Sequence, residues 1–297
     1  MEKAEALNIK ISKRMSMEQL IDAIKEAEKD LQVIKNFNIC SLNMYDITSF
    51  RASPNQLIAN LIYITHKFKR YCGVIPSSFL NTKVLKLTKI KWSDIMINIE
   101  HSKTLTFPKG FFIQFKKCLN ISERFIFFPI IFHNNEHGYV NYMLYDQNTN
   151  EMERFEPYGY LDDDSILIPQ KTDEAIVDIF KTKYGDNFIR KYYKPLSFCP
   201  YNSFQNIQEL EKELTQQDPA GFCAAWVTWY IELRLSNPDM KRKQVVDLSL
   251  QKLKNNKKSF TSYIRSYSVV LKYIYKNLLQ DIPIKDIFKN ILHKFNI

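Results

Sequence analysis

The chain has 297 residues, of which 45% are apolar and 25% are charged, so it has the size of one large domain or of a catalytic domain with a smaller one attached. Six Gly and eleven Pro are too few for a fibrous or low-complexity protein, and the apolar content excludes a disordered one. The formal net charge of +10 favours anionic partners such as nucleic acid or phosphorylated surfaces without naming one, and it permits non-specific contact with DNA.

The cysteines and the apolar runs indicate the compartment. Five cysteines are spread along the chain without a CxxC pair, so neither a disulfide framework nor a zinc site is expected. The charged N-terminus is unlike a secretory signal, and the longest apolar run, 125–132, is far shorter than the roughly 20 residues of a membrane span. We therefore expect a soluble protein of a reducing compartment, without cofactor, metal or membrane contact. The cysteines are Cys40, Cys72, Cys118, Cys199 and Cys223.

Residues 1–75 are predicted to form a helical lobe. Ser16 and Gln19 make a capping box in front of an amphipathic apolar stripe. Ser53 is the N-cap of a second helix, which the apolar pattern extends to Tyr71. An amphipathic helix needs a partner for its apolar face, so these helices are expected to pack against other elements.

The pattern then changes toward strands. Segments 111–115 and 124–132 are aromatic and β-branched, and the proline in the second suggests a bulge or an edge strand. Residues 139–145 and 151–155 are predicted to pair as a hairpin around a polar turn. The hairpin brings together the residues at its open end.

Helices dominate the rest of the chain. A helix capped by Thr172 and a short strand over 196–199 are predicted first. Aromatic residues at i, i+3, i+4 and i+7 then predict a buried helix from near Gly221 to near Ser236, with Cys223 in its first turn. The positive end of the helix dipole is expected to lower the pKa of that thiol. Two or three amphipathic helices complete the chain.

The order of four residues favours thiol chemistry. A thiol nucleophile needs a base, a group that orients the base, and a donor for the developing oxyanion. His137 precedes the hairpin and is the candidate base, and Glu156, nineteen residues later, follows the hairpin and is the candidate orienter. Gln217, six residues before Cys223, is the candidate oxyanion donor. Cys223 is the candidate nucleophile.

Three of these assignments have alternatives. Asp146 in the turn is a second candidate orienter, although a turn residue is expected to be exposed. His133 is a second candidate base, and His137 is preferred because it adjoins the strand that pairs with the segment before Glu156. Asp218 competes with Gln217, but a carboxylate repels an oxyanion unless it is protonated.

The chain resembles the clan CE cysteine proteases, which include the SUMO-specific proteases, the adenovirus protease and proteases of large DNA viruses. The order His, acidic residue, Gln, Cys is the order of the catalytic residues in these proteases. The segment MERFEPYGY at 152–160 is similar to the segment of the adenovirus protease whose Glu completes the triad. The AAW after Cys223 and the later RLSNPD look most like giant-virus members. The resemblance covers about residues 110–240. The chain departs from the family pattern at two positions. Gly138 stands where the family usually has Trp, and Ala224 stands where it usually has Gly.

This resemblance implies the fold and the activity. The expected fold is α+β, a papain-like or SUMO-protease-like catalytic domain over residues 76–297 with a small mixed sheet flanked by helices, plus the N-terminal helical lobe. The expected activity is that of a cysteine endopeptidase or isopeptidase that cleaves after small residues of the Gly type. Its substrates would be viral polyprotein or capsid proteins, or ubiquitin-like conjugates, in the host cytoplasm, in a viral factory, or in the virion. The aromatic roof of a narrow substrate tunnel would come from Tyr139, Tyr158 and Trp226.

Two other functions remain open at this point. Acetyl transfer of the YopJ type uses a similar His, Glu, Cys arrangement and would depend on acetyl-coenzyme A. A catalytically idle scaffold that binds capsid or ubiquitin-like partners would leave Cys223 unreactive toward an electrophilic probe.

Overall fold

The computed structural model describes residues 15–33, 53–76, 79, 90–99, 105–133, 138–159, 169–211, 222–256 and 259–295. Over these residues the fold is α+β, with a small mixed sheet and helices on both of its faces. The α-helices are α1 Met17–Val33, α2 Pro54–Lys67, α3 Phe111–Ile121, α4 Pro169–Tyr184, α5 Phe204–Leu210, α6 Cys223–Ser236, α7 Arg242–Lys254, α8 Phe260–Leu279 and α9 Ile284–Phe295. The strands are β1 Cys72–Gly73, β2 Ile97–Ile99, β3 Leu105–Thr106, β4 Phe125–His133, β5 Gly138–Asp146, β6 Glu151–Phe155 and β7 Lys191–Tyr193.

The sheet is built around one long antiparallel pair. Its order is β3-β2-β4-β5-β6-β7, and β1 also pairs with β4. β4 and β5 pair without interruption from Phe125 opposite Asp146 to His133 opposite Gly138. β6 returns antiparallel to β5, and β7 lies parallel to β6. The predicted hairpin over 139–155 is therefore confirmed.

Alternate residues of each strand pack on opposite faces, as the pleat requires. On β5, Tyr142 and Leu144 belong to the core beneath α6 and α8, whereas Met143 and Tyr145 belong to the core beneath α3 and α4. Both faces are thus buried, which explains why the central strands are so rich in aromatic and aliphatic residues.

The predicted helix starts near the N-terminus are confirmed. The Ser16 N–H donates to Gln19 Oε1 at 2.9 Å, and the Gln19 N–H donates to Ser16 Oγ at 3.2 Å, which completes the capping box. Ser53 caps α2 by accepting the Gln56 N–H at 3.1 Å. The predicted end of this helix at Tyr71 is wrong, because α2 ends at Lys67 and the chain soon enters β1.

Three short elements differ from the predictions. The aromatic segment 111–115 begins helix α3, because a spacing of four and then three buries Phe111, Phe115 and Cys118 on one face. The segment 196–199 contains a 3-10 turn, and the strand lies earlier, in β7. α4 already begins at Pro169, three residues before Thr172. Runs of about five residues fit both periodicities, so tertiary packing decides between them.

Pro129 lies within a central strand. Its pairing with Tyr142 continues the β4–β5 register, so the expected bulge or edge position is wrong. On the other side of β4, β1 pairs with residues 126 and 127 and β2 pairs with residues 130 to 132. Pro129 therefore falls between β1 and β2, at a position that pairs with β5 but has no strand partner on the other side of β4.

The structure contains a disulfide between Cys72 of β1 and Cys118 of α3, which corrects the expectation drawn from cysteine spacing. The two residues are 46 positions apart, and the fold brings their Cα atoms to 5.4 Å. Sequence spacing alone cannot reveal such a pairing. Cys199 and Cys223 are free thiols, and Cys40 lies outside the described residues.

α2 connects the first part of the chain to the main core. Asn60 donates to Thr228 Oγ1 of α6 at 3.3 Å, and Gln56 donates to the Leu271 carbonyl of α8 at 3.0 Å. Lys67 and Tyr63 both contact the buried carboxylate of Glu232. The division of the chain at residue 75 stays a prediction. In the described segments, no helix is both long and apolar enough to cross a membrane.

Candidate active site

Cys223 is the first residue of α6, as predicted. The helix that follows is buried on all sides from Ala224 to Leu235, so packing fixes the position of its first turn. Cys223 as a whole residue is partly exposed. A helix that is buried along its length and partly exposed at its first residue is a rigid support for a nucleophile.

The ionisation of Cys223 departs from the expected direction. Burial raises the pKa of the thiol to about 11, and the nearby carboxylates of Glu156 and Glu209 raise it further. The backbone N–H groups of Val140 and Ala224 act in the opposite sense but do not overcome burial. The helix start alone therefore does not make this cysteine a thiolate, and a cationic partner is needed.

Glu156 is the first residue after β6 and is 8% exposed. Its Oε1 accepts the Tyr158 N–H at 3.2 Å, and its Oε2 lies 3.8 Å from Arg154 Nη1. Burial raises the pKa of this carboxyl, while Arg154, the Asn141 amide and the Tyr158 N–H oppose the increase. These contacts leave acceptor capacity on a buried carboxylate, which is what an orienting residue requires.

The fold places Cys223 and Glu156 at one end of the β5–β6 hairpin. The charge of Glu156 acts on the Cys223 thiol, and the thiol in turn lies against Val140, near the start of β5. Gly138, which begins β5, directly follows His137 in the chain. His137 itself lies outside the described residues, as do Gln217 and Asp218, and His133 is described only by its backbone at the end of β4.

The turn after Glu156 is held rigidly. The Gly159 N–H donates to the Glu156 carbonyl at 3.1 Å, and Ser203 N–H donates to the Tyr158 carbonyl at 3.2 Å. Gly159 has φ +99, and a Cβ there would lie 2.3 Å from the Pro200 carbonyl oxygen. Only glycine fits this position, which gives a physical reason for the Gly in the FEPYGY segment.

Two of the three aromatic residues expected to cover the site are suitably placed. The rings of Tyr139 and Tyr158 meet edge to face, with their centroids 5.8 Å apart. Burial, together with electrostatic interaction with the ionised form of Cys223, raises the pKa of both hydroxyls. The Tyr158 hydroxyl donates to Glu209 Oε1 at 2.6 Å. Trp226 is fully buried against Phe204, so its predicted place in the roof is wrong: the core surrounds α6 on all sides and encloses this ring.

Asp146, the alternative orienter, lies at the opposite end of β5. It is 5% exposed, so the expectation of an exposed turn residue is wrong. Arg124 binds both of its oxygens, at 2.9 to 3.1 Å. At about 3.3 Å per residue, the eight steps from Gly138 to Asp146 span about 26 Å, too far for contact with Cys223.

Sequence reasoning missed three buried polar residues beside Glu156. These are Asn141 on β5, Arg154 on β6 and Asp173 on α4. Asn141 has apolar or aromatic neighbours on both sides in β5, which is the signal that could have identified it. Arg154 gives no such signal, because β6 also carries Glu151 and Glu153. Within the described segments, no cluster of His, Cys, Asp and Glu could hold a metal ion.

Comparisons with known proteins give distant similarities. No protein-family model matches the chain. A protein of Acanthamoeba polyphaga mimivirus that is named for ankyrin repeats is 24% identical in an alignment of length 257, which covers 79% of this chain and 33% of that protein. The chain thus spans about a third of the length of the curated relative that it matches.

Two solved structures are also similar. The Chlamydia trachomatis protein ChlaDub1 aligns with 82% of this chain and 97% of its own, at 10% identity and a TM-score of 0.40. SUMO protease Ulp1, with its catalytic cysteine oxidised to a sulfinic acid, aligns over 94% and 93%, at 11% identity and a TM-score of 0.37.

Proposed function

We propose that the protein is a cysteine protease, an endopeptidase or isopeptidase that cleaves after small residues of the Gly type. Cys223 is the nucleophile, His137 the base, Glu156 the orienter of the base, and Gln217 the oxyanion donor. One observation carries the proposal: a partly exposed cysteine at the start of a buried helix interacts electrostatically with a buried, incompletely paired carboxylate at the mouth of the hairpin. His137 is one residue before that hairpin.

The reaction follows from these roles. His137 takes the proton of Cys223, and the sulfur attacks the carbonyl carbon of the scissile amide while Gln217 donates to the oxyanion. The carbon–nitrogen bond then breaks, and the leaving amine takes the proton from His137. Water, deprotonated by the same histidine, attacks the resulting thioester, and release of the acid restores the thiol.

The raised pKa of Cys223 defines what His137 must contribute. A neutral thiol of pKa about 11 is a weak nucleophile at neutral pH. A histidine that accepts its proton forms an ion pair with the thiolate, and a carboxylate behind the histidine stabilises its cationic form. Glu156 is buried without full pairing, which suits this role.

The proposed substrates are protein chains. The rings of Tyr139 and Tyr158 meet edge to face, and both tyrosines interact with Cys223. We expect them to narrow the approach to the thiol, which would favour residues without large side chains next to the cut. Viral polyprotein or capsid proteins and ubiquitin-like conjugates meet this requirement. The corresponding locations are the host cytoplasm, including a viral factory, and the virion, where the net charge of +10 would permit non-specific contact with DNA.

Labelling with an electrophilic peptide tests the proposal. A peptide that ends in Gly-Gly and carries a vinyl sulfone should form one adduct, which mass spectrometry should map to Cys223. Cys223→Ser should abolish the adduct and lower cleavage of a Gly-Gly amide by roughly 10⁴-fold or more. Cys199→Ser is the matched control, because Cys199 is the other free thiol of the described residues but is only 6% exposed, and it should leave labelling intact.

The same experiment separates the alternatives. Label on Cys199 with none on Cys223, or full cleavage by Cys223→Ser, would refute the assignment. A transfer reaction that requires acetyl-coenzyme A, without any hydrolysis of the amide, would identify an acyltransferase instead.

A further inference from the structure

A buried polar cluster lies against Glu156, on the face of the sheet that α4 covers. Arg154 donates from Nε to Asp173 Oδ1 at 2.7 Å and from Nη2 to Asp173 Oδ2 at 3.0 Å. Its third nitrogen, Nη1, donates to Asn141 Oδ1 at 2.7 Å and also faces Glu156 Oε2 at 3.8 Å. One guanidinium thus connects three elements of the fold to the candidate orienter.

The cluster is more polar than stability requires. Arg154 and Asp173 are 2% and 1% exposed, and a buried ion pair commonly adds little net stability over apolar residues of similar size. The Tyr192 hydroxyl also donates to Asp173 Oδ1, at 2.6 Å, which fixes the aspartate from β7. An arginine held at this many points has a defined position, and so do the groups that bind it.

Asn141 is oriented by this arginine. Arginine has only donors, so the atom of Asn141 that meets Nη1 must be the oxygen, and the amide cannot be flipped. The Nδ2 group is buried and has no hydrogen bond of ordinary length within the described residues. It is nevertheless close enough to the Glu156 carboxylate to favour its ionised form. An amide donor fixed in this way would contact the carboxylate closely after a small movement of Glu156.

We propose that Asn141 and Arg154 are positioning residues, which hold the Glu156 carboxylate ionised and correctly oriented for the base, with Asp173 anchoring Arg154 from α4. The role rests on the proposed function, in which Glu156 orients His137. Both residues act through Glu156.

The charged and polar groups around Glu156 determine the direction in which its pKa should shift. Arg154 on β6 stabilises the carboxylate, whereas Asp173 on α4 opposes its ionisation. Tyr139 on β5, the Cys199 thiol before α5 and Cys223 on α6 also interact with Glu156. Loss of the Asn141 donor removes support for the charged form, so the pKa of Glu156 should rise. Activity that needs ionised Glu156 should then be lost at a higher pH as the solution is acidified.

Carbon NMR of the full chain, labelled at glutamate carboxyls, measures this directly, with Glu156 assigned by Glu156→Gln. Asn141→Ala should raise the midpoint of the Glu156 titration by roughly one pH unit, the effect of one hydrogen bond to a charged group. Asn141→Asp keeps the shape of the side chain but adds a negative charge, so it should raise the midpoint further. Asn141→Ser retains a donor and should restore part of the shift. Because three variants are used, the failure of one to fold does not remove the test.

Cleavage of a Gly-Gly amide provides the second measurement. The acidic limb of kcat/KM should move upward by the same amount as the NMR midpoint. Asn60→Ala is the control, because Asn60 is equally buried but lies on α2 against Thr228, and it should leave both pH profiles unchanged.

The outcomes distinguish the two proposals. A Glu156 midpoint within about 0.3 pH unit of wild type in Asn141→Ala and Asn141→Asp would overturn the positioning role, even if Cys223 is labelled and peptide is cleaved. An NMR shift with an unmoved acidic limb in an active enzyme would also overturn it. Absence of labelling and cleavage in the wild-type protein would refute the proposed function, and the titration alone would then decide whether Asn141 and Arg154 hold Glu156.

Discussion

The two ends of the β5–β6 hairpin each bury a carboxylate beside an arginine, but they pair it differently. At the turn end, Arg124 donates to both oxygens of Asp146 at 2.9 to 3.1 Å, and the Asn148 N–H adds a bond at 3.0 Å. At the open end, the short hydrogen bonds of Arg154 go to Asp173 and Asn141, and its Nη1 lies 3.8 Å from Glu156 Oε2. One carboxylate is fully satisfied and the other keeps capacity for a further donor.

This difference separates a structural role from a functional one. A carboxylate whose lone pairs are all occupied stabilises the fold but cannot accept a further hydrogen bond from a catalytic base. A buried carboxylate with spare acceptors is costly by itself, and such groups cluster at functional sites. The turn end should therefore govern stability, and the open end should govern activity.

Neutralising each carboxylate in turn is the most direct test of the different roles of the two ends. Glu156→Gln should lower kcat by roughly 10²- to 10⁴-fold without loss of fold, because the base loses the charge that stabilises its cation. Asp146→Asn should leave activity per folded molecule nearly unchanged but lower the free energy of unfolding by roughly 1–3 kcal/mol. Peptide cleavage and urea denaturation measure the two effects. The opposite ranking in cleavage would assign the orienting role to the turn.

Gln217 tests whether the open end also depends on a residue before α6. An amide near the attacked carbonyl bonds most strongly when negative charge develops there, so its loss should affect the rate more than substrate binding. Gln217→Ala should lower kcat by roughly 10²- to 10³-fold with little change in KM. The neighbouring Gln216→Ala is the matched control and should be nearly silent. Normal kcat in Gln217→Ala, together with collapse in a folded Asp218→Ala, would show that the neighbouring residue is the one involved.

The smallest expected effect is at the turn end. Arg124 also bonds to Asp239 at 3.1 Å, but the side chain of Asp239 is 93% exposed, and exposed ion pairs contribute little. Asp239→Asn should change the free energy of unfolding by less than about 0.5 kcal/mol, in contrast to Asp146→Asn. Equal destabilisation by the two substitutions would mean that burial does not distinguish the partners of Arg124.

The difference between local sequence pattern and tertiary packing explains which sequence predictions were correct. The two strands of the hairpin flank a polar turn, and the helix at Cys223 is fourteen residues long with large apolar side chains at helical spacing, so local pattern was sufficient to predict them. The segment 111–115 was predicted as a strand because five aromatic and aliphatic residues fit either periodicity. Trp226 was expected in the roof of the site because a sequence pattern does not tell how many sides of a helix are covered.

The sequence by itself determined the capping of α1 and α2, the turn between β5 and β6, and the placement of Cys223 at a helix start, because each depends on residues only a few positions apart. Only the tertiary structure decided that Cys72 joins Cys118, that Asp146 is saturated by Arg124, and that Asn141, Arg154 and Asp173 surround Glu156. These contacts join residues that are distant in the chain. They exist because the sheet and its helices bury polar groups together, and buried polar groups must find partners among whatever the fold brings near.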